Sequence, residues 1–403
     1  MNPDGDDEIV AFYQRHPYPP PVADLAQDQA AWSDGRRRRV EHHRLWPAMP
    51  YRDDHSILVA GCGTSQAVRY AIRYPQARVV GIDVSTTSLD QSRVLAERHD
   101  LINLELRLLP VEAVDRLESS FDHIVCTGVL HHLAEPDVGL GALGRVLADK
   151  GVMSLMVYAP YGRTGISMIQ DYCRLLGVRP EPDEIDELVA SLRELPPGHP
   201  LGHLLRNTPD FEDGDALADA LLNPRDRTYA VHEVLTFLKG AALRFGRWVR
   251  QASYVPSCGV MSQLPHGSRI AALPLVDQFV AMELFRGTMT RHSFIARHHD
   301  DTDDAIRFDR GRWQDYVPLR PHTAISVRHN LPDGAAAALL NSAHTDPDLV
   351  LFVDEVGKQL FDSIDGIRSI GDISADHRGF FEQLWWHDLI MIDGSATHPD
   401  PGE

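Results

Sequence analysis

Five short apolar runs alternate with stretches of helical periodicity between Ser56 and about Tyr161. The runs are SILVAGC, ARVVGID, LELRLL, FDHIVCTG and GVMSLMVYA, spaced by roughly 20 to 30 residues. Between the first two runs, apolar residues recur at helical spacing over residues 67–72. Strands that are separated by helices predict a parallel α/β sheet built from βαβ units.

The regions on either side of this pattern indicate that the chain contains more than one structural part. Residues 1–50 contain a proline cluster and the basic run Arg36 to Arg39, which are typical of an arm that lies on a domain. The strand rhythm is interrupted at about 161–230 and again at about 257–290. We therefore expect an N-terminal arm or lid at 1–50 and a main domain at 51–300 that carries two helical insertions.

A separate small domain is predicted at residues 320–395. Val353, Val356, Leu360 and Ile364 form one apolar stripe at helical spacing, and the segment FFEQLWWHDLIMI forms another. The stretch LFVDEVGKQLFDSIDGIRSIGDI resembles small winged-helix or peptide-chaperone-like modules. We expect a C-terminal α+β domain, winged-helix-like, that gives structural support or contacts a protein.

Composition and charge limit the partners and the cellular location. The chain of 403 residues is longer than one hydrophobic core usually organises, so we expect more than one domain. The formal net charge of −19 repels phosphate, which disfavours nucleic acid as the main partner. The four cysteines are too far apart in sequence for a metal knuckle or a redox pair. An apolar run of membrane-spanning length and a signal peptide are both absent from the sequence. We expect a cytoplasmic protein with no membrane association.

The turn after the first predicted strand is the most informative stretch. In ILVAGCGTSQ, Gly61 and Gly63 let the backbone bend tightly and approach a ligand at the start of a helix. Asp83 follows twenty residues after Gly63, at the end of the second strand, where a carboxylate can accept hydrogen bonds from ribose hydroxyls. Both features belong to the crevice where open α/β sheets bind nucleosides.

The motifs LVAGCGT, GIDVS, FDHIVCTGVLHHL and GVMSLMVYAPYGR resemble those of class I S-adenosylmethionine-dependent methyltransferases. The resemblance implies an α/β fold, a Rossmann-like seven-stranded mixed sheet of order 3-2-1-4-5-7-6 whose last strand is antiparallel. It also implies S-adenosylmethionine as the cofactor, lying across strands one, two and four.

Carried over residue by residue, the resemblance implies a set of cofactor-binding positions. The glycine turn would face the methionine portion, Asp83 the ribose, Val84 the adenine edge, and the tip of strand four the sulfonium. The expected cofactor-binding residues are Gly61, Cys62, Gly63, Thr64, Asp83, Val84, Ser85, Pro110, Val111, Thr127 and Gly128.

Three positions depart from the usual family pattern. Val59 stands where many members have an acid that holds the amino group of the cofactor, and Pro110 replaces an acid that often reads the adenine. Ser65 replaces the usual third glycine, which is tolerable only where its φ is negative.

Methyl transfer from a sulfonium needs few catalytic side chains, because orientation and desolvation supply most of the catalysis. His131 and His132 follow the fourth strand, near the expected path of the acceptor, and a neutral imidazole can take a proton from it. One of them is therefore the candidate general base. The alternative is that they cap the following helix and shape the pocket.

Other side chains are candidates for contact with the acceptor. Tyr13 and Tyr18 could close as an aromatic lid or merely dock the arm. Tyr158, Tyr161 and Arg163 follow strand five, and Arg163 could clamp an acidic acceptor or pair with a nearby acid.

The sequence predicts no metal site. His292, His298 and His299 flank the last predicted strand, but metal-ligand spacings such as H-E-x-x-H are absent from the sequence. We expect these three histidines to face solvent.

We therefore expect a bacterial methyltransferase, an enzyme that uses S-adenosylmethionine to methylate a small metabolite or natural product by in-line displacement. One alternative is a peptide or protein acceptor held by the C-terminal domain. Another is a sensor that binds the nucleoside without catalysis, which Val59 in place of the acid would suit. The oligomeric state is open, a homodimer being one arrangement.

Overall fold

The computed structural model describes residues 3–202, 205, 214–301, 306–309 and 312–395. These residues form two compact units. The first unit takes its residues from 1–31, 54–244 and 286–298, and the second from 32–53, 245–285 and 299–403.

A seven-stranded sheet organises the main fold. Its strands are β1 Ser56–Ala60, β2 Arg78–Asp83, β3 Leu104–Leu108, β4 Phe121–Thr127, β5 Leu147–Tyr158, β6 Leu243–Trp248 and β7 Arg291–His298. Their order is β3-β2-β1-β4-β5-β7-β6. Strands β1 to β5 pair in parallel, whereas β7 runs antiparallel to β5. The predicted Rossmann-like sheet and its strand order are confirmed.

Burial explains why the central strands read as continuous apolar runs. Ile57 to Ala60 of β1 are at most 1% exposed, because helices cover both faces of a parallel sheet. Strand β3 lies at the edge, where Leu108 is 57% exposed. The carboxyl ends of β1, β2 and β4 consequently meet at one edge of the sheet.

The helices surround this sheet and complete the second unit. They are α1 Pro3–Arg15, α2 Ala26–Trp32, α3 Gly35–Leu45, α4 Gln66–Arg73, α5 Thr86–Arg98, α6 Pro136–Arg145, α7 Thr164–Leu176, α8 Pro182–Arg193, α9 Gly214–Leu222, α10 Val231–Gly240, α11 Gly267–Ala271, α12 Leu275–Arg286, α13 Glu355–Asp362, α14 Ile370–Ser374 and α15 Arg378–Trp386. Short 3₁₀ helices cover Val111–Leu117, Leu130–His132 and Tyr161–Arg163 after β3, β4 and β5, and Ala252–Tyr254, Gly259–Gln263 and Trp313–Asp315 further along the chain.

The described residues between β5 and α10 form mainly helices, as the loss of strand rhythm indicates. Helices α7, α8 and α9 share a core that includes Ile166, Leu188 and Leu217. Phe12 of α1 is 2% exposed within the same core. The helical insertion and the first helix of the chain are therefore one packed body within the first unit.

The second unit contains two small sheets. Strands β9 Ala324–Val327, β10 Ala337–Asn341 and β11 Val350–Val353 form an antiparallel sheet, and β8 Val317–Leu319 pairs with β12 Met391–Asp393. Helices α13 and α15 pack over a core that includes Phe361 and Phe381. This confirms a small C-terminal α+β region, whereas its likeness to a winged helix stays a prediction.

Two details differ from the sequence pattern. Val353, which the pattern counted in a helical stripe, ends β11 opposite Ala337, because Asp354 caps the helix that follows. Residues 32–53 belong to the second unit rather than to one continuous arm over 1–50. In that unit Arg39 of α3 donates a 2.8 Å hydrogen bond to Asp393 at the end of β12, and His43 lies 3.2 Å from the same carboxylate.

Within the described ranges, a helix with the length and apolar character to traverse a bilayer does not occur.

Candidate functional site

The turn after β1 requires glycine at two positions. Gly61 and Gly63 have φ values of +66° and +53°. A Cβ on Gly61 would lie 2.3 Å from Cγ2 of Val129, and a Cβ on Gly63 would lie 2.5 Å from the carbonyl oxygen of Tyr18. The turn is therefore both left-handed and closely approached by two other segments.

Asp83 connects this turn to the end of β2. Its carboxylate accepts the backbone N–H of Gly63 at 2.8 Å and that of Ser85 at 2.9 Å. Burial raises the pKa of Asp83, although the N–H groups of Ser85 and Gly63 oppose that shift. Each carboxylate oxygen keeps lone-pair capacity for a further hydrogen bond, such as one from a ribose hydroxyl.

The tip of β4 forms the other side of the crevice. Gln66, the first residue of α4, donates a 2.6 Å hydrogen bond from Nε2 to Oγ1 of Thr127. Gly128 follows with a φ of +79°. The sequence analysis missed Gln66, whose position at the first helical residue after the glycine turn could have indicated it.

The expected adenine-side residues also reach this edge. Strand β3 pairs with β2 so that Leu108 lies opposite Asp83, and Leu109 donates its N–H to the carbonyl of Asp83 at 2.9 Å. Pro110 and Val111 follow directly, Pro110 exposed and Val111 buried.

Ser65 and the two remaining turn residues fit the site without strain. Ser65 has a φ of −153°, so a side chain in place of the third glycine needs no left-handed backbone. Thr64 donates its hydroxyl to the carbonyl of Pro19 at 2.8 Å. Cys62 is buried, and burial, aided by the negative charge of Asp83, raises the pKa of its thiol. All four cysteines lie in the described ranges, where they are buried and form no disulfide.

Helix α1 is hydrogen-bonded both to the residues after β2 and to the helical insertion. On one side the hydroxyl of Ser85 donates to the carbonyl of Tyr13 at 3.0 Å, and Gln14 accepts the N–H of Thr87 at 3.2 Å. On the other side the hydroxyl of Tyr13 donates to Asp219 of the insertion at 2.9 Å. Tyr13 therefore docks α1 on the first unit, as one of the two alternatives predicts, whereas its role as an aromatic lid stays a prediction.

His131 and His132 form an aromatic cluster beside the tip of β4. The ring centroid of His131 lies 3.9 Å from that of Tyr158 and 4.2 Å from that of His132. His132 Nδ1 lies 2.6 Å from the carbonyl oxygen of Arg225. Burial lowers the pKa of His131 well below its usual value, and His132 and Arg163 add to the shift. His131 is consequently neutral and a weak proton acceptor.

A buried ion pair lies against the same cluster. Nη2 of Arg163 contacts Oδ2 of Asp226 at 2.7 Å, and both side chains are 6% exposed. The guanidinium lies 3.5 Å from the centre of the Tyr158 ring, and Gln170 donates to the same carboxylate oxygen at 2.7 Å. The charge of Arg163 is thus used by a nearby acid, as the second sequence hypothesis states, rather than held free for an acidic acceptor.

One expectation on the histidines that flank the last strand differs from the structure. His292 is fully buried, because β7 is an inner strand and His292 lies opposite Val157 of β5; the prediction that it faces solvent is wrong. His298 is half-buried and His299 is exposed. Tyr161 is 40% exposed, unlike the buried cluster around Tyr158.

Comparison with known proteins identifies the fold. Residues 58–153 match the family model described as a methyltransferase domain. The structure of PKMT2 from Rickettsia typhi in complex with AdoHcy superposes with a TM-score of 0.63 at 16% sequence identity, covering 93% of this chain and 77% of the other. The matched residues run from β1 into β5 of the seven-stranded sheet, and that sheet has the strand order expected of class I S-adenosylmethionine-dependent methyltransferases.

Curated relatives match this chain over part of their own length. The Synechococcus protein syc1184_c is 29% identical over 247 residues, which is 59% of this chain and 58% of the relative. The ubiquinone biosynthesis O-methyltransferase of Bartonella tribocorum is 30% identical over 105 residues, 26% of this chain and 41% of the enzyme. The chain thus spans about half the length of the relatives it matches.

The methyltransferase domain offers a cradle that fits its cofactor. The two glycines at which a Cβ would clash and the carboxylate of Asp83 with lone pairs to spare lie at the ends of adjacent strands. Asp226 is not among the residues predicted from the sequence; it lies between Arg225 and Arg227 in the segment NPRDR.

Proposed function

We propose that this protein transfers the methyl group of S-adenosylmethionine to a small-molecule acceptor. The attachment of α1 to both the end of β2 and the helical insertion supports this proposal most directly. Tyr13 bonds to Ser85 at the end of β2 and to Asp219 of the insertion, so the acceptor must fit under a helix that is fixed on both sides.

The cofactor would be held at the edge of the sheet. Asp83 would accept the ribose hydroxyls, since its carboxylate is already oriented by two backbone N–H groups. The turn at Gly61 and Gly63 would let the backbone approach the methionine portion closely, since neither residue carries a Cβ. When bound, S-adenosylmethionine supplies a methyl group on a good leaving group.

The buried cluster of His131, Tyr158, Arg163 and Asp226 would line the acceptor side. These side chains are rigid, since Arg163 is ion-paired and stacked on Tyr158. Their contribution is to orient the acceptor in line with the sulfonium and to exclude water. Burial leaves His131 neutral in the free protein, so positioning suits it better than carrying a proton.

The test combines cofactor binding with a methyl-transfer assay. Calorimetry with S-adenosylmethionine and S-adenosylhomocysteine establishes binding. The protein is then incubated with radiolabelled S-adenosylmethionine and an extract of the source organism, which is separated by size after the reaction. We expect label in the low-molecular-weight fraction, and none with an Asp83→Ala variant.

The other outcomes identify the alternatives. Label in the protein fraction alone would contradict a small acceptor and favour a peptide or protein acceptor. Binding of both ligands with no labelled product would favour a nucleoside sensor. Absence of binding to either ligand would overturn the proposal.

A further inference from the structure

We propose that His131, His132 and Asp226 bind a single zinc ion beside the methyl-transfer site. One imidazole nitrogen from each histidine and one carboxylate oxygen lie within 4.8 Å of one another. The two histidines are 1% and 4% exposed, and the side chain of Asp226 is 6% exposed. Two imidazoles and one carboxylate that leave a position open are a common ligand set of catalytic zinc.

His132 is already oriented as a metal ligand. Its Nδ1 lies 2.6 Å from the carbonyl oxygen of Arg225, so Nδ1 carries the proton and donates it to that carbonyl. The lone pair of Nε2 is then available. Metal-binding histidines generally show this arrangement, because the second hydrogen bond fixes the ring and its tautomer.

His131 is buried without a polar partner. Neither of its ring nitrogens has a hydrogen-bond partner among the described residues. A buried polar group without a partner is costly, and such groups in native structures usually indicate a missing ligand, ion or water. The backbone carbonyl of His131 accepts the N–H of Arg227 at 3.1 Å, so the loop that carries Asp226 is fixed to the histidine pair.

Asp226 provides the third ligand and balances the charge. Its Oδ2 is occupied by Arg163 and Gln170, while Oδ1 lacks a hydrogen-bond partner in the described part of the chain. The carboxylate therefore stands between the guanidinium and the proposed ion. Arg163 and Asp226 neutralise each other, so a zinc ion would add two uncompensated positive charges to a buried site.

That excess charge points to the class of acceptor, an inference that rests on the proposed function. An anionic ligand in the open position would reduce the excess positive charge. The site therefore favours an acceptor with a hydroxyl or thiol, because such a group can bind zinc as an anion. Binding to zinc lowers the pKa of such a group, and its proton leaves to solvent. The oxygen or sulfur lone pair then attacks the methyl carbon, and the C–S bond breaks with its electrons going to sulfur to give a neutral thioether.

The experiment measures metal binding by the full-length protein without the acceptor. The protein is stripped with a chelator, then titrated with Zn²⁺ in competition with a fluorescent chelator and with Co²⁺ followed by its visible absorption. We expect one equivalent of zinc and a tetrahedral or five-coordinate cobalt spectrum. The affinity should fall more than about tenfold in each of the variants His131→Gln, His132→Gln and Asp226→Asn, since even outer-shell partners cause losses of that size.

A matched control and a folding control make the result decisive. His232 is exposed on α10, and a His232→Gln variant should keep the wild-type affinity. Each variant is also titrated with S-adenosylhomocysteine, because retained binding shows that the domain is folded and tests the cofactor site independently of the metal. Wild-type protein that binds zinc no more tightly than the three variants would overturn the metal site even where the cofactor still binds.

Discussion

Asp83 and Gly63 are joined by a 2.8 Å hydrogen bond from the backbone N–H of the glycine to the carboxylate. The bond ties the end of β2 to the turn after β1, so the residue expected to hold the ribose also fixes the turn expected to hold the methionine portion. A single side chain thus couples two halves of the cofactor site.

An Asp83→Asn variant should bind S-adenosylhomocysteine about 10- to 100-fold more weakly. The amide has nearly the same shape but lacks the charge, and hydrogen bonds to charged groups contribute about 1.5 to 3 kcal/mol. Calorimetry measures the change. Asp90 lies on α5, the helix that follows β2, and its side chain is 70% exposed. An Asp90→Asn variant should therefore keep the wild-type affinity for S-adenosylhomocysteine. Equal losses in the two variants would contradict the role of Asp83.

Gly63→Ala should be far more damaging than Gly177→Ala. Both glycines have positive φ, +53° and +70°, so both substitutions carry a backbone cost of about 1 to 2 kcal/mol. At Gly177 no described atom lies within 4 Å of the added Cβ, whereas at Gly63 the carbonyl of Tyr18 lies at 2.5 Å. Denaturant unfolding and cofactor titration of both variants separate the steric clash with Tyr18 from the backbone strain of a positive φ. Similar results for the two variants would show that Tyr18 moves aside at little cost.

Replacing one member of the buried ion pair should destabilise the protein strongly. Arg163→Met leaves the carboxylate of Asp226 buried beside an apolar chain, which costs about 3 to 5 kcal/mol. Arg145 forms a pair of the same 2.7 Å length with Asp115, but their side chains are 58% and 49% exposed, and Arg145→Met should cost less than about 1 kcal/mol. Urea titrations of the two variants measure their free energies of unfolding and test this difference.

His123 should make the stability depend on pH. Burial on β4, aided by His55, lowers the pKa of His123 from 6.5 to about 3. Below pH 6.5 the unfolded chain binds a proton that the folded chain does not, so the free energy of unfolding falls as the pH drops toward 3, by up to about 1.4 kcal/mol per unit. Above pH 6.5 this contribution is fully present.

A His123→Gln variant tests this dependence. Between pH 7.5 and 5, wild-type protein should lose about 2 kcal/mol more than the variant does. The exposed His232 provides the comparison, because His232→Gln should follow the wild-type curve. Parallel curves for all three proteins would contradict a neutral buried His123.

The sequence determined the sheet, the glycine turn and Asp83 because these depend on local order along the chain. Apolar runs alternating with helical periods specify parallel strands, and the ends of adjacent parallel strands must meet, which places Asp83 beside Gly63. The sequence shows that Ser65 stands in place of a glycine, whereas its negative φ in the structure shows that a side chain is tolerated there.

The tertiary structure alone decided which distant side chains meet. Asp226 lies 63 residues from Arg163, and Asp219 lies 206 residues from Tyr13, yet each pair is in hydrogen-bond contact. Periodicity and spacing along the chain do not encode such contacts. The packing of the helical insertion against α1 depends on the fit of side-chain shapes, and a charged side chain is buried there only where it is paired. The same packing buries His131 with neither ring nitrogen hydrogen-bonded in the described part of the chain, and it buries His292 on an inner strand, which the neighbouring residues in the sequence do not indicate.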